Sequence, residues 1–310
     1  MLTVLQTALE VGLIYGLVAL ALFISFSILN IADLSTDGCF TLGCAVGAML
    51  TIAGHPILAL FAAMAAGMLS GYVTAFLQTR LGVESILAGI ISNTGLYTIN
   101  LAVMGFSSNV SITGVDTVFS LFKGLVGGQW SRLILLALIA AVLVLVLIRF
   151  FGTSLGLSIR ATGDSLDMVS ASSINPKATI TIGLCLANAL TALSGCLIGE
   201  YNKFCDINLG TGMVTIALAS LIIGEVFAGR RGSVGKRVVC VVLGSIVYRF
   251  IIALALRLNI SAEYFKLVSA VIVAVAIAAP NMKDYVHLAK IKSNARKLRA
   301  LSGKGDETDA

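Results

Sequence analysis

Long apolar runs separated by short polar stretches dominate the hydropathy pattern of this chain. Most of these runs approach or exceed the ~20 residues that an α-helix needs to cross the hydrocarbon core of a bilayer. Their approximate bounds are 9–28, 37–54, 56–78, 84–104, 132–151, 178–199, 213–229, 236–257 and 264–281. The pattern predicts an all-α polytopic membrane protein with about nine transmembrane helices, within a range of about eight to ten.

Residues 152–178 form the longest polar interruption between two strongly apolar segments. Their centre, residues 165–173, can form a short amphipathic helix. Asp164 is predicted to be its N-cap, and Asp167 places a negative charge near the positive end of the helix dipole. Asn175-Pro176 ends the helix because a residue before proline avoids the α region. Such a helix between two spans either docks on a soluble partner or is an ordinary loop helix.

The distribution of Lys and Arg predicts the orientation of the chain. Basic residues cluster in the connection 230–237 and in the tail 283–310, and both are expected in the cytoplasm. Counting back along the spans places 152–178 in the cytoplasm as well, and the loop 105–131 and the N-terminus outside. The chain therefore divides into a transmembrane domain, residues 1–282, and a basic cytoplasmic tail.

Two further stretches do not fit the simple alternation of spans and loops. Residues 29–38 are too polar to face lipid, so they form either a turn at the interface or a broken helix buried in protein. Residues 118–126, in the loop predicted to lie outside, have the composition of a short surface helix.

The composition agrees with a membrane protein. Apolar residues make up 58% of the chain before its 31 glycines are counted, well above the roughly 45–50% of soluble domains with glycine included. The basic residues lie at span ends and in the tail, where the positive-inside rule places them, so the net charge of +6 does not indicate nucleic-acid binding. The basic tail is either a helix on the anionic inner leaflet or a solvated helix. The six cysteines form no C-x-x-C pair and are interpreted as small buried side chains.

No catalytic motif is found in the sequence. Residues 229–237, GRRGSVGKR, superficially resemble a phosphate-binding loop, but the first glycine is out of register and Arg237 stands where Ser or Thr would bind Mg²⁺. The two histidines, His55 and His287, lie far apart in the sequence. We therefore expect a protein that is not an enzyme, with no metal site and no cofactor of its own.

Polar side chains recur at helical spacing inside three of the apolar segments. Such residues are costly in a membrane and usually face the interior of a bundle or a cavity. They are Asn93, Tyr97 and Asn100 in one segment, Asp37, Thr41, Cys44, Ala48 and Thr51 in another, and Thr181, Cys185 and Asn188 in a third. Each stripe either makes interhelical hydrogen bonds or lines a polar pathway. We select Asp37, Thr41, Asn93, Tyr97, Asn100 and Asn188 as candidate pathway residues.

Several sequence blocks together carry a resemblance to a known family. They are LNIADLS (29–35) with Asp37-Gly38, LAGI (87–90) with GLYTINL (95–101), GL (156–157) with RATGD (160–164) and ASSIN (171–175), and ALASLIIGE (217–225). In combination they resemble the permease subunits of bacterial ABC importers of the branched-chain amino acid, ribose and nucleoside type. The first block is most similar to the tryptophan/tyrosine-like subgroup. One departure is Ser173, where the family often has glycine.

The resemblance implies a mechanism and a set of partners. Two permease chains, here two copies of this one, would form the path in the bacterial plasma membrane for a small polar solute such as an amino acid, nucleoside or sugar. Cytoplasmic ATPase subunits would bind ATP and Mg²⁺, and an extracytoplasmic binding (lipo)protein would deliver the cargo. The residues that would contact the ATPase are Asp164, Leu166, Asp167, Met168, Ser170, Ala171 and Ser173. The alternative is a stand-alone secondary transporter of amino acids or related solutes.

Overall fold

A computed structural model describes residues 2–128, 130–229, 232–257, 271 and 274 of the chain. Its long helices are α1 (Leu2–Leu22), which continues into a π-helical turn (Phe23–Ile28), α2 (Thr36–Ile52), α3 (Pro56–Thr79), α4 (Ser85–Val103), α6 (Ser131–Phe151), α9 (Pro176–Asn202), α10 (Met213–Ala228) and α11 (Val234–Arg257). Three shorter helices are α5 (Val118–Val126), α7 (Ser154–Asp164) and α8 (Leu166–Ala171). Two short strands, β1 (Asn109–Ser111) and β2 (Phe204–Asp206), pair antiparallel.

The long helices agree with the first eight apolar segments of the sequence to within a few residues at most ends. Within the described part of the chain, six helices are long and apolar enough to cross a membrane, and α2 and α10 are shorter apolar helices. The predicted ninth segment, 264–281, and the basic tail, 283–310, lie outside the described residues, as do Arg230 and Arg231. The small β-sheet was not predicted by the sequence.

Local sequence signals set several helix starts. Pro56 and Pro176 each occupy the first helical position, where the missing N–H of proline is not needed. Asn175 caps α9, since its side-chain oxygen accepts the N–H groups of Lys177 and Ala178. Thr117 and Ser120 form a reciprocal capping box at the start of α5, which confirms the predicted short helix at 118–126.

Helix α9 is the centre of the bundle and packs most extensively against α3 and α2. Glycines allow this close approach. A Cβ atom at Gly43 of α2 would overlap the main chain of Ala192, and one at Gly195 of α9 would overlap the carbonyl oxygen of Phe40. The small residues that the sequence places along α2 and α3 are therefore packing positions between helices.

Two segments break the helical pattern inside the bundle. Residues 29–35 are not helical, and Ile31, Asp33 and Ser35 among them are buried. This supports the buried broken helix rather than an interface turn. The second segment, residues 207–212, leads from β2 back to the start of α10. Helix α10 begins beside α2, since Asp37 accepts the N–H groups of Gly212 and Val214.

The polar stretch 152–178 contains two helices where the sequence predicted one. The predicted N-cap, Asp164, is wrong: it is the last residue of α7. Ser165 caps α8 instead, because its Oγ accepts the N–H of Met168 at 3.3 Å. Helix α8 is also shorter than the predicted 165–173, ending at Ala171, and Ser173 beyond it has a left-handed backbone with φ of 59°.

Candidate functional site

One cavity brings together most of the polar residues selected from the sequence. It has a volume of about 320 Å³ and lies between α2, α4 and the segment 207–212. Five of the six candidate pathway residues line it: Asp37, Thr41, Asn93, Tyr97 and Asn100. We call this cavity the α2–α4 pocket.

The α2 side of the pocket is built around Asp37. One carboxylate oxygen accepts the N–H of Gly212 and the other accepts the N–H of Val214, both at 2.9 Å. These donors belong to the start of α10, where the helix dipole favours a negative charge. One turn further along α2, Thr41 Oγ1 accepts the N–H of Gly210 at 3.1 Å. Together these bonds hold residues 210–214 against α2.

The α4 side of the pocket carries Asn93, Tyr97 and Asn100. Asn100 is only 2% exposed, and its Nδ2 donates to the carbonyl of Gly38 at 3.0 Å. Its Oδ1 is buried and has no hydrogen-bond partner in the described part of the protein. Tyr97 is 52% exposed, although it lies in the middle of an apolar helix. The stripe on α4 therefore combines a buried amide with an open polar surface.

The sixth candidate, Asn188 on α9, lies elsewhere. It is 1% exposed, and its Nδ2 donates to Asp33 Oδ2 at 2.9 Å. The other oxygen of Asp33 accepts the N–H and the hydroxyl of Ser35 at 2.9 and 2.6 Å. Asn188 thus holds the buried segment 29–35 in place. It does not line the α2–α4 pocket, and its role in a pathway stays a prediction.

The pocket also contains residues that sequence reasoning missed. Thr94 lies next to Asn93 on α4, and Asn208 and Thr211 come from the segment after β2. A signal was present in the sequence, because NLGTG at 208–212 is a polar, glycine-rich break between two apolar segments. Its position opposite α4 depends on chain folding over more than 100 residues.

The side chains that line the pocket can form hydrogen bonds, and among them Asp37 contributes a carboxylate. Within the described ranges, no group of three or more His, Cys, Asp or Glu side chains could hold a metal ion.

The second candidate region is α8 with its flanks, and all seven residues selected there are exposed. Leu166 and Met168 present apolar side chains to the surface, whereas Val169 is buried and fixes α8 to the bundle. In the preceding helix, α7, Gly163 packs directly on the main chain of Ile28. The exposed helix is therefore in contact, through α7, with the end of the π-helical turn that follows α1.

Sequence comparison identifies the family. The sequence model described as "Branched-chain amino acid transport system / permease component" matches residues 4–277. The chain belongs to this family. It is therefore a multi-pass membrane permease, a component of a transport system. The pocket and α8 are two regions of a permease, and the resemblance drawn from the sequence blocks is confirmed.

Two relatives support the assignment of the permease. A tyrosine transport system permease protein of Clostridioides difficile (strain R20291) is 31% identical over 294 residues, which cover 94% of this chain and 95% of the relative. An uncharacterized protein of Rickettsia prowazekii (strain Madrid E) is 31% identical over 284 residues, covering 91% of this chain and 99% of the relative. No solved structure matches the chain significantly.

Proposed function

We propose that this permease is the membrane subunit of an ATP-driven importer that carries an amino acid across the bacterial plasma membrane. The observation that carries the proposal is the family match along nearly the whole chain. The tyrosine transport permease among its relatives supports a cargo of the amino acid class. The permease itself is non-catalytic, and ATP and Mg²⁺ are bound by a separate ATPase subunit.

The α2–α4 pocket is the part of the translocation path that this chain supplies. Asp37, Thr41, Asn93, Tyr97 and Asn100 line it. A hydroxyl on a membrane-spanning helix is not satisfied by lipid. The exposed Tyr97 therefore supports an α4 surface that faces water or protein rather than acyl chains. A second copy of the permease on this surface would close the path on its open side, which is the proposed homodimer.

Helix α8 is the coupling helix that docks on the ATPase. Its exposed residues, Leu166 and Met168, offer an apolar contact, and the short side chains of Ser170 and Ala171 allow a close approach. Movement of α8 would pass through Gly163 to Ile28, and from there to the segment 29–35 that leads into α2. This gives a continuous chain of contacts from the ATPase surface to Asp37.

The remaining partners follow from the same mechanism. An extracytoplasmic binding (lipo)protein delivers the cargo to the end of the bundle that carries α5 and the β-sheet. The basic residues of the connection 230–237 and the tail lie on the cytoplasmic side, near anionic lipid headgroups. Nucleic acid is not a partner.

Uptake by purified components tests the importer. Proteoliposomes containing the permease, the ATPase and the binding protein should accumulate an amino acid from a panel that includes tyrosine, ribose and a nucleoside. Uptake should require ATP and should persist when ionophores dissipate ion gradients. Uptake without ATP that an ion gradient drives would contradict the proposal and favour the stand-alone secondary transporter.

A pair of substitutions on α8 tests coupling separately. Ala171→Trp should abolish co-purification of the ATPase, because overpacking a close contact costs about 1–3 kcal/mol or more. Asp167→Asn, the matched control, should cost only about 0.3–1 kcal/mol, from a weakened interaction with the helix dipole. Both permeases should fold normally, since both side chains are exposed. If Ala171→Trp retains its ATPase at the normal ratio and supports uptake, α8 is an ordinary loop helix.

A further inference from the structure

The α2–α4 pocket contains a hydrogen-bond acceptor that no described residue satisfies. Asn100 is 2% exposed and lines the pocket, and its Nδ2 is already committed to the carbonyl of Gly38. Its Oδ1 is buried without a hydrogen-bond partner. A buried carbonyl oxygen left unsatisfied costs about 1–3 kcal/mol, so a ligand that donates a hydrogen bond here would recover that free energy.

The charge of the pocket is negative. Among the described residues that line it, Asp37 alone carries a charge. The N–H groups of Gly212 and Val214 each occupy one position on its carboxylate, which offers about four acceptor positions in all. Acceptor capacity therefore remains on Asp37, and the two bonds fix the direction of the carboxylate.

We infer that the α2–α4 pocket binds the ammonium group of the cargo, with the Asp37 carboxylate and the Asn100 amide oxygen as its acceptors. This inference rests on the proposed function and adds which end of an amino acid the permease recognises. A primary ammonium group has three N–H donors and a positive charge, so it complements one charged and one neutral acceptor.

Other polar groups complement the pocket less well. A carboxylate would meet Asp37, a like charge, and no Lys, Arg or His side chain is among the described residues that line the cavity. A sugar hydroxyl could donate to Asn100 Oδ1 but would bring no positive charge to pair with Asp37. The charge of Asp37 therefore favours an ammonium-bearing solute over a neutral sugar.

The electrostatic preference can be measured on the full-length permease in lipid nanodiscs. Thr211 is exposed and lines the pocket next to the Gly212 N–H that Asp37 accepts, so Thr211→Cys reports on this site. The background needs only Cys185→Ser, because the other five cysteines are buried. Labelling rates are compared for a cationic and an anionic methanethiosulfonate of similar size, with Ser107→Cys on an exposed loop as the reference position.

The cationic reagent should react at Thr211→Cys about tenfold or more faster than the anionic one, relative to the ratio at Ser107→Cys. Asp37→Asn should remove this preference. Excess methylammonium chloride should slow the labelling, whereas equal sodium chloride or neutral acetamide should not. This protection is measured with Asp37 in place, so it remains decisive if Asp37→Asn fails to fold.

Equal rates of the two reagents, or a cationic preference that survives in folded Asp37→Asn, would overturn the ammonium site. Labelling that methylammonium slows no more than sodium chloride does would overturn it as well. These outcomes are distinct from failure of the importer, because ATP-driven uptake in proteoliposomes is measured independently. A permease that supports such uptake without the cationic preference would be an importer whose pocket does not select ammonium.

Discussion

Helices α4 and α9 both carry polar side chains through apolar surroundings, yet they meet different neighbours. In the most apolar 18-residue stretch of α9, 83% of the residues are buried, whereas in the corresponding stretch of α4 only 28% are buried. Asn188 on α9 is bonded to a buried carboxylate, and Ser194 donates to the carbonyl of Ile14. On α4, Tyr97 is exposed and Asn100 keeps an unsatisfied oxygen.

This difference separates two uses of the same residue types. On α9, Asn188 Nδ2 and Ser194 Oγ bond to other segments of the same chain, so these groups stabilise the bundle, although Asn188 Oδ1, like Asn100 Oδ1, is buried without a partner in the described part of the protein. On α4, Tyr97 is open to the cavity that Asn93 and Asn100 also line, and this is the surface to which we assign the solute and a second copy of the chain in the proposed importer. Helical spacing alone cannot distinguish the two cases, because it does not reveal which element lies opposite.

Alanine substitutions at one glycine on each helix should give the largest contrast. Gly195→Ala places a Cβ on the carbonyl oxygen of Phe40, a main-chain atom that cannot rotate away, and should destabilise by about 3 kcal/mol or more. At Gly95 on α4 a Cβ meets no atom within 4 Å. Gly95→Ala should therefore be neutral, or stabilise by up to about 1 kcal/mol through helix propensity. Thermal unfolding of the detergent-purified proteins gives both values.

A loss of stability in Gly95→Ala would indicate what lies against α4. If it lowers the thermal stability only of the assembled transporter, a second chain lies against α4. If Gly195→Ala is as stable as the unsubstituted protein, this result would contradict the close contact between Gly195 of α9 and Phe40 of α2.

Two asparagine substitutions should separate stability from transport. Asn188→Leu removes the bond to the buried Asp33 carboxylate and should cost about 1.5–3 kcal/mol, with loss of folded protein. Asn93→Leu should preserve the amount of folded complex and its basal ATPase activity, while lowering uptake per folded complex about tenfold. Folded permease is quantified by size-exclusion chromatography, and uptake is divided by that amount. An unchanged value for Asn93→Leu would remove Asn93 from the path.

The smallest expected contrast is between two hydroxyls. Ser194→Ala loses a buried 2.7 Å bond between α9 and α1 and should cost about 0.5–1.5 kcal/mol. Thr94 bonds only to Ile90 of its own helix at an exposed position, so Thr94→Val should change stability by less than about 0.5 kcal/mol. Equal melting temperatures for the two variants would mean that the bond to Ile14 contributes nothing measurable.

The helices were predictable from the sequence because apolar runs and prolines determine them locally. The starts of α3 and α9 follow from Pro56 and Pro176, and the family blocks led directly to the permease family. The helix α7 was missed because Leu155, Leu157 and Ile159 alternate with small or polar residues, a spacing that does not indicate a helix on its own. Asp164 and Ser165 are both good capping residues, and only the structure shows which of them is used.

The residues on the α2 and α4 sides of the pocket were predictable from the sequence, but their convergence was not. The spacing of Asn93, Tyr97 and Asn100 placed them on one face of α4, and Asp37 and Thr41 lie on one face of α2. Their convergence with Asn208 and Thr211 depends on contacts between distant parts of the chain, which periodicity does not contain. Asn188 shows the same limit, since an equally regular pattern leads there to a buried structural contact.

The buried break at residues 29–35 has a consequence for how the chain is made. Asp33 is bonded to Asn188, which lies 155 residues later, and Asp37 is bonded to Gly212, which lies 175 residues later. At a synthesis rate of about 5–20 residues per second, the hydrogen-bond partners of these carboxylates are synthesised on the order of ten seconds after the carboxylates themselves. The hydrogen bonds of Asp33 and Asp37 to these partners therefore cannot form as this region leaves the ribosome. They form only once α9 and the start of α10 have been synthesised, so the buried break and the start of α2 depend on the C-terminal half of the chain for these contacts.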